Sequence, residues 1–295
     1  MFKSQPYVAN SQDNTVSVID GTTNTIITTI PVDEGPFLIG VNRNTNLIYV
    51  THQVGNTVSV IDGTTNTVVT TIPVGNTPSG ISVNPNTNLV YVANSSDDTV
   101  SVIDGISNSI IATIPVGNNP FGVSVNPNTN LVYVANTGDN TVSVIDGTTN
   151  TVINTIPVGG GPRVPNVNPN TNKIYVPNFG DNTVSVIDGA TNTVVATVPV
   201  GTAPVALAIN PNTNLIYVPN TGDDTVSVIN GNTNSVISTI PVGNSPVVSA
   251  IDPNKNLIYV TNSADNTVSI IDGTTNAVID TIPVGDFPVG IGILN

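Results

Sequence analysis

Short apolar runs alternate with polar turn residues along the whole chain. Between residues 79 and 120 four such runs occur, at 79–83, 89–94, 99–104 and 109–115. Residues 99–104 alternate with the period of two that is typical of a β-strand, and Asn, Asp, Gly and Pro fill the intervening turns. Four runs joined by tight turns predict a four-stranded antiparallel meander. Because helix-period patterns are almost absent, we expect an all-β chain.

The meander recurs at a constant spacing. The seven tyrosines lie at 7, 49, 91, 133, 175, 217 and 259, so each copy has 42 residues and none carries an insertion. A β-rich repeat of about 40–45 residues is typical of a propeller blade. Radial stacking would cover both apolar faces of each sheet. We therefore predict one domain over 1–295, a seven-bladed β-propeller with four antiparallel strands per blade.

The two ends of the chain predict how the ring closes. The run 288–294 matches an innermost strand, whereas the chain begins at the run before Tyr7. The closing blade should therefore combine the C-terminal strand with three N-terminal strands near 5–10, 14–19 and 25–31. Such a closure hides strand edges that would otherwise be exposed.

Composition excludes several classes of function. The formal charge is −14, and only five Lys and Arg residues are present, so we expect no nucleic-acid partner. No apolar run approaches the ~20 residues of a membrane-spanning helix, and no signal-peptide region follows Met1. Without cysteine there are no disulfides or thiolate metal sites. We expect a monomer.

A further resemblance rests on a short motif. Residues 259–262 read Tyr-Val-Thr-Asn, other copies read YVAN, YVTH or YVPN, and the downstream runs read TVSVIDG and IPVG. The chain resembles the YVTN family of seven-bladed β-propellers and is similar to the propeller domains of archaeal and bacterial surface-layer proteins. That resemblance implies an extracellular or cell-surface location. It implies little about function, since one fold hosts many functions.

The two ends of the predicted propeller differ in variability. The first-to-second and third-to-fourth turns form the uniform end, where NPNTN and DGTTN recur. The second-to-third turns and the blade-to-blade loops form the variable end, where a ligand would find distinguishable chemistry. The candidate site residues there are Asp33, Glu34, Phe37, His52, Phe121, Arg163, Phe179 and Phe287.

Aromatic rings with a few charges at a channel mouth suit a binding surface. Alternatively, the loop phenylalanines cap the core between blades. Antiparallel pairing should make Phe37 and His52 neighbours below Asp33 and Glu34, with Arg163 on the opposite rim.

His52 is the only histidine, at a position where the other copies have Asn. A histidine beside carboxylates can act as a general base or a metal ligand. It can equally be a neutral replacement in the most divergent copy.

A ring of turn aspartates, at 13, 97, 139, 181, 223 and 265, is interrupted by Gly55 in the copy that carries His52. Calcium binding by this Asp ring is one interpretation, and local turn formation is the one we favour.

These residues leave three functional hypotheses. The leading one is a non-enzymatic scaffold or recognition module that binds a protein or glycan partner at the variable end and needs no cofactor. The alternative is a lactonase-like hydrolase or lyase that uses His52 and Glu34 with a divalent metal, although no nucleophile motif is present. The third is an amplified repeat array with no dedicated ligand.

Overall fold

The computed structural model of the protein describes residues 4–295, which form 28 β-strands in seven four-stranded sheets. Residues 1–3, where the sequence predicts no signal peptide, lie outside the described residues. Within residues 4–295 there is no helix of the length and apolarity that crossing a lipid bilayer requires.

Every repeat contributes its strands in the same order. The N-terminal strands are β1 (Gln5–Asn10), β2 (Thr15–Asp20) and β3 (Thr25–Pro31). Blade 1 has β4 (Pro36–Asn42), β5 (Leu47–His52), β6 (Thr57–Asp62) and β7 (Thr67–Pro73), and blade 2 has β8 (Pro78–Asn84), β9 (Leu89–Asn94), β10 (Thr99–Asp104) and β11 (Ser109–Pro115). Blade 3 has β12 (Pro120–Asn126), β13 (Leu131–Asn136), β14 (Thr141–Asp146) and β15 (Thr151–Pro157). Blade 4 has β16 (Asn166–Asn168), β17 (Lys173–Asn178), β18 (Thr183–Asp188) and β19 (Thr193–Pro199), and blade 5 has β20 (Ala208–Asn210), β21 (Leu215–Asn220), β22 (Thr225–Asn230) and β23 (Ser235–Pro241). Blade 6 has β24 (Pro246–Asp252), β25 (Leu257–Asn262), β26 (Thr267–Asp272) and β27 (Ala277–Pro283), and β28 (Pro288–Leu294) is the last strand.

The seven-bladed propeller and its closing blade are confirmed. Each sheet runs from an innermost strand to an outermost one, and the closing sheet, blade 7, has the order β28-β1-β2-β3. Its register pairs Tyr7 with Gly292, as Tyr49 pairs with Gly40 in blade 1. The chain is therefore joined into a ring by hydrogen bonds between its two ends.

The repeating tyrosine anchors each blade to its neighbour. All seven tyrosine side chains are fully buried. The Tyr7 hydroxyl donates to Asn66 Oδ1 in blade 1 at 2.6 Å, and the Tyr217 hydroxyl donates to the equivalent Asn276 in blade 6 at 3.3 Å. Burial raises the pKa of Tyr7 to about 12, with the Asp62 charge as a lesser cause, so this hydroxyl remains a donor at neutral pH. The other five tyrosine hydroxyls are buried without a hydrogen-bond partner among residues 4–295, so those tyrosines join the blades by packing alone.

The turns explain why asparagine is so frequent. In each of blades 1 to 6 three turns between strands end on a residue with positive φ, as at Asn46, Asn56 and Asn66 in blade 1, and blade 7 has two such turns, ending at Asn14 and Asn24. Asparagine tolerates this left-handed conformation better than most residues. At the uniform end a second set of asparagines joins neighbouring blades, because Asn42 Nδ2 donates to Asn88 Oδ1 at 2.6 Å and four later pairs repeat the bond.

Two blades depart from the common pattern at the axis. In blades 4 and 5 the innermost strands β16 and β20 have only three residues. Both blades carry proline in the second strand, at Pro177 and Pro219, where the missing N–H removes a ladder donor. Continuous pairing with the innermost strand ends at Tyr175, although an isolated bridge still joins Pro162 to Asn178, and Pro177 still pairs with Val184 on the other side. Proline therefore interrupts the ladder between the bridge and β16.

Candidate functional site

The structure places the second-to-third turns and the blade-to-blade loops at the same end, as the sequence predicts. Gln53 N donates to Gly35 O at 3.0 Å, and Ser95 N donates to Thr77 O at 3.1 Å. The same backbone bond recurs in the other blades. The variable end is therefore a continuous, internally bonded rim around the axis.

Four of the candidate side chains form one chain of contacts across the mouth of the central channel. The Phe37 and Phe121 rings meet edge to face, with centroids 5.8 Å apart and planes at 87°. The Arg163 guanidinium carbon lies 4.5 Å from the Phe121 centroid and 4.8 Å from the Phe179 centroid. These distances are within the range of cation–π interaction. We call Phe37, Phe121, Arg163 and Phe179 the rim cluster.

The rim cluster depends on a residue that the sequence analysis missed. Phe37 and Phe121 belong to blades 1 and 3, and blade 2 has Ser79 at the equivalent position. Ser79 Oγ donates to the Phe121 carbonyl at 2.7 Å, and Thr51 Oγ1 donates to the Ser79 carbonyl at 2.9 Å. A small residue between two phenylalanines leaves the space in which their rings meet. The sequence does show that this position is small in blade 2. The equivalent residues of blades 1 to 7 are Phe37, Ser79, Phe121, Arg163, Val205, Val247 and Val289.

Close backbone packing supports the same part of the rim. A Cβ atom added to Gly80 would lie 2.7 Å from Gly122 Cα, a distance that side chains do not tolerate. Glycine is therefore required where the innermost strands of blades 2 and 3 approach each other.

Arg163 is held by its backbone outside the regular sheet. Its N–H donates to the Pro177 carbonyl at 2.8 Å, and the next N–H, of Val164, donates to the Val205 carbonyl in blade 5 at 3.0 Å. These bonds fix the segment that Pro177 releases from the ladder. Burial lowers the pKa of the half-buried Arg163 guanidinium. The group still carries its charge at neutral pH, because arginine titrates far above that range.

Below the rim cluster the axis holds a narrow cavity of about 160 Å³ to which all seven blades contribute. Its polar lining comes from Ser82, Ser124, Asn166 and Ser249, and the rest is mainly aliphatic. Asn166 Nδ2 donates to the Leu207 carbonyl at 3.0 Å, and Ser249 Oγ donates to the Tyr217 carbonyl at 3.0 Å. The lining of this cavity is uncharged.

His52 lies inside blade 1 rather than on the surface. Its side chain is fully buried, and Nε2 lies 2.9 Å from Ser59 Oγ. In blade 2 the amide of Asn94 occupies the same place and donates to Ser101 Oγ at 2.9 Å. Burial lowers the pKa of His52 to about 4, although the Asp33 charge opposes the shift. His52 is therefore neutral at physiological pH and replaces a structural asparagine. Its register partner is Pro36, while the adjacent Phe37 ring packs on Phe121.

Asp33 is also engaged within blade 1. Its carboxylate accepts hydrogen bonds from the Thr57 hydroxyl at 2.6 Å and from the Glu34 N–H at 2.8 Å. These two bonds lower the pKa of Asp33, the Thr57 bond being the larger cause. Glu34 is exposed on the same loop. Phe287, 42% exposed, lies on the loop that leads into β28, and within residues 4–295 its ring makes no aromatic or cation–π contact with the rim cluster.

The Asp ring takes part in local hydrogen bonds. Asp97 accepts from Asn76 N at 2.6 Å and from Asn76 Nδ2 at 2.8 Å, so the turn aspartate ties its turn to the preceding blade-to-blade loop. Asp139 and Asp265 repeat both bonds. Among residues 4–295 no group of three or more His, Cys, Asp or Glu side chains is placed to hold a metal ion.

Comparison with known proteins agrees with this fold. A sequence model described as the YNCE-like beta-propeller matches residues 3–88. A comparison with curated protein sequences gives no match. A protein of unknown function from Desulfotomaculum acetoxidans superposes with a TM-score of 0.87 at 14% identity, over 99% of both chains.

Two further solved structures have related propellers. Hydrazine synthase of Kuenenia stuttgartiensis superposes with a TM-score of 0.82 at 20% identity, over 90% of this chain and 91% of that one. The dihydro-heme d1 dehydrogenase NirN, solved in complex with DHE, gives 0.73 at 15% identity, over 95% of this chain and 63% of that one. At these identities the similarity establishes a seven-bladed β-propeller and leaves the function to be argued from the site.

Proposed function

We propose that the protein is a non-enzymatic recognition scaffold, located on the cell surface or secreted, that binds a protein or glycan partner at the variable end. The location rests on the resemblance of the YVTN, TVSVIDG and IPVG motifs to surface-layer propellers. The binding surface rests on the rim cluster.

The observation that carries the proposal is the contact chain from Phe37 through Phe121 and Arg163 to Phe179. Aromatic residues and arginine are the side chains that most often dominate binding energy in interfaces. Phe179 is 37% exposed, and Arg163 and Phe121 are half-buried, so the cluster presents both apolar area and charge to solvent. A partner that covers it would bury this apolar area and shield the cation.

The contrast with the uniform end supports the same assignment. There the turn asparagines are used in bonds between blades, as when Asn86 Nδ2 donates to the Pro127 carbonyl at 2.8 Å. The same bonds recur in successive blades, so each blade offers nearly the same surface. The blade-to-blade loops of the variable end differ from copy to copy, which gives a partner something specific to recognise.

No observation favours the metal-dependent hydrolase or lyase. That reaction would place His52 and Glu34 on one metal ion, yet His52 is fully buried and bonded to Ser59, while Glu34 is exposed on the loop above. The geometry offers these two residues no shared open site.

A combined protein and glycan array tests the proposal. The wild type is compared with a Phe121→Ala, Arg163→Ala variant and with a Val205→Ala, Val247→Ala variant, which changes the equivalent positions in the next two blades, 5 and 6. We expect at least one partner whose signal is lost with the first variant and kept with the second. Equal binding by all three proteins would refute recognition at the rim cluster.

A further inference from the structure

The Arg163 guanidinium has aromatic neighbours but no oxygen acceptor from the protein. Its carbon lies within 5 Å of both the Phe121 and Phe179 centroids. A ring face offers a diffuse negative potential and cannot accept the directed N–H bonds of a guanidinium as an oxygen can. Across residues 4–295, no hydrogen bond or ion pair of this side chain to the protein is formed. Its donors are therefore available to a ligand.

The electrostatic setting of Arg163 differs from that of Arg43, the other arginine. Burial lowers the pKa of both guanidinium groups, but at Arg43 the Asp252 charge opposes this shift. At Arg163 burial lowers the pKa, and within residues 4–295 no carboxylate is paired with the guanidinium. A half-buried cation without a counterion gains free energy when an anion binds it.

The geometry of a guanidinium suits a carboxylate. Its planar fork donates two parallel N–H bonds to the two oxygens of one carboxylate, and stacking on aromatic rings restricts the orientation of that fork in advance. Less conformational entropy is then lost when the ligand binds.

The charged residues around Arg163 restrict the net charge of the ligand that can bind there. The carboxylates of Asp33, Glu34 and the Asp ring lie at the variable end, whereas the other described basic residues, Arg43, Lys173 and Lys255, lie in or beside turns of the uniform end. The acidic rim repels a ligand that carries several negative charges. In a ligand with a single carboxylate flanked by basic groups, the rim attracts those basic groups. Lysine and arginine side chains of a protein supply such groups.

We propose that Arg163 binds one carboxylate of a protein partner, and that basic side chains flank this carboxylate and face the acidic rim. This inference rests on the proposed recognition function and specifies its partner. Phe121 and Phe179 hold the guanidinium, and the Asp ring selects against polyanions.

The test uses the Nε–Hε signals of the two arginines in a 15N-labelled protein, with Arg43 as an internal control. The probe is the peptide acetyl-Lys-Gly-Asp-Gly-Lys-amide, and the matched peptide has Asn in place of Asp. We expect a saturable shift of the Arg163 signal and no shift of the Arg43 signal. Affinity should fall about tenfold for the Asn peptide and for the Arg163→Lys variant, since the bidentate bond is lost. Oligogalacturonate, a polyanion, should bind more weakly than the Asp peptide.

Four outcomes would overturn the inference: no saturable Arg163 shift with the Asp peptide, equal affinity for the Asp and Asn peptides, unchanged affinity of the Arg163→Lys variant, or tighter binding of oligogalacturonate. The Val247→Ala variant, which changes the equivalent position two blades away from Arg163, should bind the Asp peptide like the wild type, and this separates loss of the arginine from damage to the rim. If an array partner depends on Phe121 and Arg163 while the Asp and Asn peptides bind alike, rim recognition stands and the carboxylate assignment falls.

Discussion

Asp33 and Gly55 have exchanged the residue types that the other blades place at their positions. A Cβ atom added to Gly55 would lie 2.6 Å from Asp33 Oδ2, and in blade 2 a Cβ atom added to Gly75 would lie 2.6 Å from Asp97 Oδ2. Gly75 is equivalent to Asp33, and Asp97 is equivalent to Gly55. One carboxylate therefore occupies the space between loop and turn in either arrangement, and it comes from the loop in blade 1 and from the turn in blade 2.

The exchange predicts strong coupling between the two positions. Gly55→Asp should destabilise the protein by about 1–3 kcal/mol, because it forces a second carboxylate into an occupied space. Adding Asp33→Gly to that variant should recover most of the loss, since it recreates the arrangement of the other blades. Urea denaturation of the four proteins in this double-mutant cycle measures the coupling.

Blade 2 supplies the control for this cycle. Gly75→Asp combined with Asp97→Gly recreates the arrangement of blade 1 and should show coupling of the same sign. Additive effects in both blades would contradict the reciprocal placement of the carboxylate.

The buried neutral His52 predicts a specific loss of stability in acid. Its pKa is about 4 in the folded protein and about 6.5 when unfolded, so between these values only the unfolded chain binds the proton. The contribution of neutral His52 to the free energy of unfolding is thus complete above pH 6.5 and is lost as the pH falls toward 4. The loss should reach about 2–3 kcal/mol near pH 4.5.

His52→Asn isolates this contribution because Asn fills the same place in blade 2 and does not titrate. We expect the free energy of unfolding of the wild type, minus that of His52→Asn, to fall between pH 7 and pH 4.5. A difference that stays constant across this range would show that His52 is protonated without cost, and so is not buried as described.

Removal of residues 288–295 should prevent stable folding. The deleted strand buries Val289, Ile291, Ile293 and Leu294, each contributing about 1.5–3 kcal/mol, which together rivals the total stability of a domain. Its loss also exposes the edge of β1. Circular dichroism melting of the truncated chain should show no cooperative transition near that of the full chain. Deletion of Asn295 alone, which makes one 3.3 Å bond to Asp252, is the control and should change little. Equal melting of both truncations would contradict closure through β28.

The fold could be read from the sequence because every blade repeats the same local information. The strict tyrosine spacing fixes the register, and small residues opposite each tyrosine, such as Gly40 and Gly292, fit the crowded axis. The short inner strands of blades 4 and 5 were less predictable. The sequence shows that Pro177 has no N–H to donate to the neighbouring strand. Only the structure shows that Val164, in the segment before β16, bonds to Val205 in the next blade.

The site was only partly predictable because side-chain direction is not encoded in spacing. Sequence placed Phe37 and Arg163 on opposite rims, and the structure connects them through the Phe121 ring, which contacts both side chains. Sequence also singled out His52 as unusual. Its burial follows from the register of β5, in which the side chain at the Asn position is directed into the blade.

The most direct test of the account is the affinity of the partner found on the array, measured in solution for two matched variants. Phe121→Ala with Arg163→Ala removes the centre of the rim cluster, and Val205→Ala with Val247→Ala shortens the side chains at the equivalent positions of the next two blades. The account predicts that the first variant weakens binding at least about tenfold at unchanged melting temperature and that the second binds like the wild type. Equal dissociation constants for both variants and the wild type would contradict recognition at the variable end.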